Sequence, residues 1–207
     1  MNRSLKPYLS LGVILAGLCS IVQTGLAGPQ ESDLKITLSV HNYAPIESET
    51  LIRAEQEVTR IYRQTGVKTV FLGQPLAPEG RPDIVLIIVA HPMTELGAQS
   101  DSLGLTPGAG SKRDLAYVFH DRVEALYRKQ IVAAAQRKVQ RWATTAQILG
   151  YAMAHEIGHL LGLSHSPIGI MREGWRWNDL LAAAYGSLNF TLQQASAIRM
   201  EVRIREH

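Results

Sequence analysis

The sequence predicts a mixed α/β domain built on a mostly parallel sheet, and three stretches carry that prediction. Leu34 to Tyr43 alternates, with Leu34, Ile36, Leu38 and Val40 on one side, as a strand does. Ile84 to Ala90, "IVLIIVA", is continuously apolar, as expected of a central strand covered on both faces. Between them lies a helical stretch and a second short strand, an order that calls for a crossover helix.

The intervening helix reads from Ser48, which can cap it, to about Gln64. Leu51, Ile52, Ala54, Val58, Ile61 and Tyr62 form its apolar stripe, and Gly66 ends it. Val67 to Leu72 is the second strand, and Pro75 to Pro82 is a loop rich in proline and glycine. Residues 91 to 114 read as loop, with a short strand or a plain surface loop at Leu103 to Thr106. Leu115 to His120 is a further strand. From about Arg122 to Arg141 a helix carries six basic residues (Arg122, Arg128, Lys129, Arg137, Lys138 and Arg141) against the single acid Glu124. Such a run serves an anionic partner or a membrane surface, or is a solvated face, and the solvated face is the commoner case. Thr144 or Thr145 caps the next helix, which runs to about Leu161 and stops at Gly162. Thr191 caps a last helix from Leu192 to about Arg203, with Ala195, Ile198 and Val202 on its packed side. Trp175 and Trp177 either shape a pocket or close the C-terminal core.

The chain has 207 residues, 46% apolar and 19% charged, values of a folded protein with a substantial core. Residues 1–27 read as a cleaved secretory signal or, less commonly, a retained anchor. Arg3 and Lys6 precede an apolar stretch from Leu9 to Val22, and Gly25 and Ala27 supply the small residues of a cleavage site. Residues 28–207 are then the mature protein, secreted or periplasmic, with no stable membrane span. Removing Arg3 and Lys6 from 21 basic residues leaves 19 against 18 acidic ones, a formal +1 in place of +3, which gives no reason to expect nucleic-acid binding. The single cysteine, Cys19, lies in the signal, so the mature protein has no disulfide and depends on packing and metal for stability.

The chemistry concentrates in "AHEIGHLLGLSHSPIGIM", Ala154 to Met171. His155 and His159 are four residues apart on a helix, a rotation of about 400°, so both imidazoles leave one face and can share a zinc ion. Glu156 lies beside them, suited to act as a base toward water that the metal activates. A third ligand is needed, and Gly162 permits the left-handed turn that brings His165 back. Met171 follows the turn-like Ser166 to Gly169. A structural zinc site would be closed by a fourth protein ligand and would need no base.

"HEIGHLLGLSH" followed by "GIM" resembles the metzincin clan of zinc endopeptidases, and "LGLSHS" is most similar to its matrixin branch. The resemblance implies that His155, His159 and His165 hold one catalytic zinc ion and that Glu156 is the general base. It implies that Gly162 is the turn residue and that Met171 is the Met-turn, an apolar floor that is not a ligand. It implies a zincin-like fold: a twisted, mostly parallel sheet with one antiparallel edge strand, an active-site helix, an upper subdomain over 33–162 and a small helical C-terminal subdomain over 163–207. The edge strand, Leu103, Gly104, Leu105 and Thr106, would bind an extended peptide by β-augmentation. The sequence departs from matrixins in its early Met-turn, in having no cysteine switch, and in lacking a recognisable second zinc site or acidic calcium loop. His41, His91, His120 and His207 show no ligand spacing. Tyr185 is the one candidate beyond the metal for supporting a developing oxyanion. The expected function is a monomeric, secreted zinc-dependent endopeptidase acting on proteins or peptides. The alternatives are a zinc-stabilised binding protein and a hydrolase of non-peptide amides.

Overall fold

The computed structural model describes residues 34–73, 81–92, 102–107 and 114–206. The signal segment, the loop positions 75–80 and His207 lie outside the described residues. The described residues form five strands and five helices. They are β1 (Lys35–Asn42), α1 (Ser48–Gln64), β2 (Lys68–Leu72), β3 (Ile84–Val89), β4 (Gly104–Leu105), β5 (Leu115–Phe119), α2 (His120–Gln136), α3 (Thr145–Leu160), α4 (Trp177–Ala184) and α5 (Leu192–Arg205). The strands form one sheet in the order β2-β1-β3-β5-β4. All neighbours are parallel except β4 and β5, which pair antiparallel through Gly104↔Val118 and Leu105↔Tyr117.

The alternation in β1 buries Ile36 and Leu38 on the face where Ile84, Leu86 and Ile88 of β3 are also fully buried. Val85, Ile87 and Val89 are only half-buried. The continuous apolar run of β3 therefore reflects one sealed face and one partly covered face, not the two covered faces its sequence led us to expect.

α1 and α3 pack on each other, and α3 also meets β3, β4, β5, α2 and α4. Ala54, Val58, Ile61 and Tyr62 line the buried side of α1, but Ile52 is exposed and does not belong to the stripe. Ser48 lies inside the first turn, after Glu47, and caps nothing through its side chain. Gly66 takes φ +83, and Val67 N donates back to Tyr62 O, closing the helix as its sequence indicates.

The largest departure is α2. It starts directly off β5 and stops at Gln136, with Lys138 left-handed at φ 55. The side-chain amide of Gln130 binds both backbone groups of Ala143, at 2.9 Å and 3.2 Å, and fastens the returning chain there. The basic run is thereby broken up. Arg137 stands over the Trp177 ring, Arg141 stands over Tyr185 and donates to Ala184 O, and Arg122 donates to Ser102 O.

Thr144, not Thr145, caps α3 in a reciprocal box with Gln147. α4 is a helix that its sequence did not announce. Its first turn is held by Asp179, which accepts from Arg176 N at 2.8 Å and pairs with Arg172 at 2.9 Å. α5 begins at the Thr191–Gln194 capping box and buries Ala195, Ile198 and Val202. Its Arg205 donates to Leu160 O, at the negative end of α3, and pairs with Asp114. No helix among the described residues is long and apolar enough to cross a membrane.

α1 comes close to α3 at Gly150. A Cβ placed there would lie 2.7 Å from Ala54 O and 2.7 Å from Glu57 Cβ. Gly150→Ala should therefore destabilise the protein by about 1–3 kcal/mol, the cost of overpacking outweighing the better helix propensity of alanine. Urea unfolding of the two proteins measures it; an unchanged or raised midpoint would contradict the packing argument.

Candidate active site

α3 is the helix from which the site is built. Eleven of its sixteen residues are buried, from Ala146 to Gly158, and its polar groups collect at the C-terminal end. There the four-residue spacing sets His155 and His159 on one face, their Nε2 atoms 3.0 Å apart. Leu161 ends the helix, and Gly162 takes φ +81 with open space around its Cα. Glycine is needed at this position for its backbone angle and not for room. The reversed chain brings His165 Nε2 to 3.2 Å from His159 Nε2. Among the described residues these three histidines are the one set whose ligand atoms gather tightly enough for a metal ion, all within 4.8 Å.

The outer ring nitrogens explain why the inner ones converge. His155 Nδ1 lies 2.8 Å from Ile170 O, and His159 Nδ1 lies 2.8 Å from Leu163 O. A carbonyl only accepts, so each Nδ1 carries the proton and each Nε2 presents a lone pair. Burial pushes the His155 imidazole down to about 4, with its two histidine neighbours adding to the effect and the Ile170 carbonyl opposing it. Burial lowers His159 as well. Both rings are therefore neutral at ordinary pH. Their Nε2 lone pairs face each other at 3.0 Å with no proton between them. Such a set is satisfied by a shared cation, and imidazoles oriented by carbonyls suit zinc.

Glu156 projects from α3 toward the edge of the sheet and is 5% exposed. Its Oε2 accepts a hydrogen bond from Thr106 Oγ1 at 2.9 Å. Burial raises its carboxyl to about 7, while the Thr106 hydroxyl pulls the other way. The β4 segment meets the site through Thr106. Leu103 O accepts from Phe119 N and its side chain joins the core, Gly104 and Leu105 pair with β5, and Thr106 bonds Glu156.

Met171 is fully buried beneath the helix. Its Sδ sits 2.6 Å from where a Cβ on Gly158 would be, so the glycine inside the histidine pair gives the thioether its place. The loop that carries Met171 is held by Ser166 N to Met171 O at 2.8 Å. Gly169, at φ +74, lies against Asn189 O. Of Trp175 and Trp177, whose sequence leaves pocket and core both open, Trp175 is partly buried and packs against the core. Its indole Nε1 donates to Ile170 O at 3.1 Å, the same carbonyl that orients His155, and its ring stands edge-on to His155 and Tyr151. No spacing rule pointed to that role, nor to the Leu163 and Ile170 carbonyls. Tyr185 lies exposed at the end of α4 under the Arg141 guanidinium. His41, His91 and His120 stay apart from the cluster, beside Ser39, Asp121 and Glu124 respectively.

Residues 116–195 match the family described as "Metallopep: Putative peptidase family". The match supports a metallopeptidase. It takes in β5, α2, α3 and α4, with His155, Glu156, His159, His165 and Met171, and leaves β4 outside. No curated protein matches the chain. Among solved structures, the chain is similar to archaemetzincin from Methanopyrus kandleri, at 18% identity, over 83% of this chain and 98% of that one, with a TM-score of 0.45.

The central histidine of the cluster offers a direct test of metal binding. His159→Ala should fail to retain zinc through gel filtration, where the unmodified protein carries it, and should lose the thermal stabilisation that added zinc provides. Equal zinc content in both proteins would remove His159 from the ligand set.

Proposed function

We propose that the protein is a secreted zinc-dependent endopeptidase of the metzincin kind, with a matrixin-like site on a zincin-like fold. The observation that carries this reading is the conjunction at the end of α3. Three imidazole nitrogens converge, and the residue beside His155 on the same helix is a buried carboxylate. His155, His159 and His165 would hold one zinc ion and leave a coordination position open. When bound, zinc supplies Lewis acidity, lowering the pKa of water and polarising a carbonyl oxygen.

The chain's own residues do the rest. The Ile170 and Leu163 carbonyls keep His155 and His159 in the tautomer that presents Nε2 inward. The Glu156 carboxylate accepts the proton of the attacking water and delivers it to the leaving amine nitrogen. Burial raises the carboxyl's affinity for a proton, which strengthens it as an acceptor. Met171 and Trp175 exclude water beneath and beside the rings. β4 lies at the edge of the sheet, so its outer side is suited to pairing with an extended peptide by β-augmentation. The N-terminal signal reading places the mature enzyme outside the cytoplasm, in the periplasm or beyond, working as a monomer.

The reading is tested by incubating zinc-loaded mature protein, residues 28–207, with a mixed peptide library, beside Glu156→Ala. New termini in mass spectra should appear with the unmodified protein only. The substitution should keep zinc and the fold and lower turnover by about 10²–10⁴-fold. Zinc bound in both samples with no cleavage in either would refute the peptidase reading.

A further inference from the structure

The Glu156 carboxylate is not simply buried; it is seated against β4. Gly104 and Thr106 are two residues apart on an extended chain, so they face the same side. Both meet Glu156. The Thr106 hydroxyl reaches Oε2 at 2.9 Å and also lies 3.4 Å from Glu156 O. A Cβ on Gly104 would fall 2.7 Å from Oε1, 2.7 Å from Cγ and 2.5 Å from Tyr117 O. Gly104 does not have a left-handed backbone, so its lack of a side chain is a matter of space alone. One position donates a hydrogen bond to the carboxylate and the other makes room for it.

We propose that Thr106 and Gly104 are positioning residues for Glu156, acting on turnover through its carboxylate rather than by touching substrate. This inference rests on the peptidase reading above. The geometry supports it in two ways. A glutamate side chain has three rotatable bonds, and a general base must keep its oxygens within hydrogen-bond reach of the proton it takes. The Thr106 hydroxyl fixes one oxygen, and the missing side chain at Gly104 leaves the space that the other oxygen and Cγ occupy. An extended peptide added at the outer edge of β4 would use backbone groups, leaving the Thr106 hydroxyl committed to Glu156.

Thr106→Val preserves shape and removes only the hydroxyl; Thr106→Ser preserves the hydroxyl. With zinc content and fold unchanged, the valine variant should lose about tenfold in kcat with KM little altered, as befits one hydrogen bond to a charged group. The serine variant should recover most of that loss. Gly104→Ala should lower kcat at least as far as the valine variant, since the added methyl would meet both the Tyr117 carbonyl and the seated carboxylate. Unchanged kcat in Thr106→Val, equal losses in the valine and serine variants, or a rise in KM alone would each overturn the proposal. A second measurement needs no activity. In a double-mutant cycle of thermal unfolding, Thr106→Val and Glu156→Ala should be non-additive if the two side chains are joined, and additivity would overturn it. Absence of cleavage by the unmodified protein would refute the peptidase reading separately, and the cycle would still decide whether Thr106 holds Glu156.

Discussion

Two backbone carbonyls, Ile170 O and Leu163 O, determine what the two histidines of α3 can do. Each accepts the Nδ1 proton of a ring on α3 and so turns a lone pair inward. Neither carbonyl belongs to the helix. Both sit on the segment that follows Gly162, so the left-handed glycine that reverses the chain also sets the tautomers behind it. That segment is pinned in turn. Ser166 N bonds Met171 O, Asn189 O receives Ile170 N, and the Trp175 indole shares the Ile170 carbonyl with His155. The loop is as much a part of the site as the helix it follows.

Keeping neutral imidazoles and a high-pKa carboxyl at one place requires low polarity around them, and α3 supplies it by being packed on nearly every side. Gly150 lets α1 approach to backbone contact, Gly158 lets Met171 rise against the helix, and Gly104 lets β4 close over Glu156. Three glycines thus do by omission what bulkier side chains do elsewhere in a core: they fix separations. The polar ends of α3 are dealt with separately, by the Thr144–Gln147 box at the start and by Arg205 at Leu160 O at the finish.

How much of this was legible in the sequence depends on whether the deciding contact is local. The α3 cap and stop, the shared face of His155 and His159, the return of His165 and the Thr191 cap all follow from residues within a turn of one another, and they were readable. So were β1, β2, β3 and β5, whose patterns are long enough to show. The end of α2 was not, because it is set by Gln130 reaching Ala143, and helix-forming residues continue past it. α4 is eight residues long and is stabilised by the Arg172–Asp179 pair, which no periodicity reveals. Ile52 shares the spacing of its buried neighbours yet faces out. For β4 the short apolar pattern left strand and loop equally open, and the partner of Thr106 lies on another element altogether.

The Thr106–Glu156 contact spans 50 residues and joins a two-residue edge strand to the most enclosed helix of the fold. β4 has no other neighbour in the sheet than β5, so the contact draws on the whole arrangement of β4, β5 and α3. Closing a contact across so many residues costs loop entropy that no local pairing returns. The seating of Glu156 is therefore a property of the complete fold, and a helix with the sequence of α3 alone would not reproduce it.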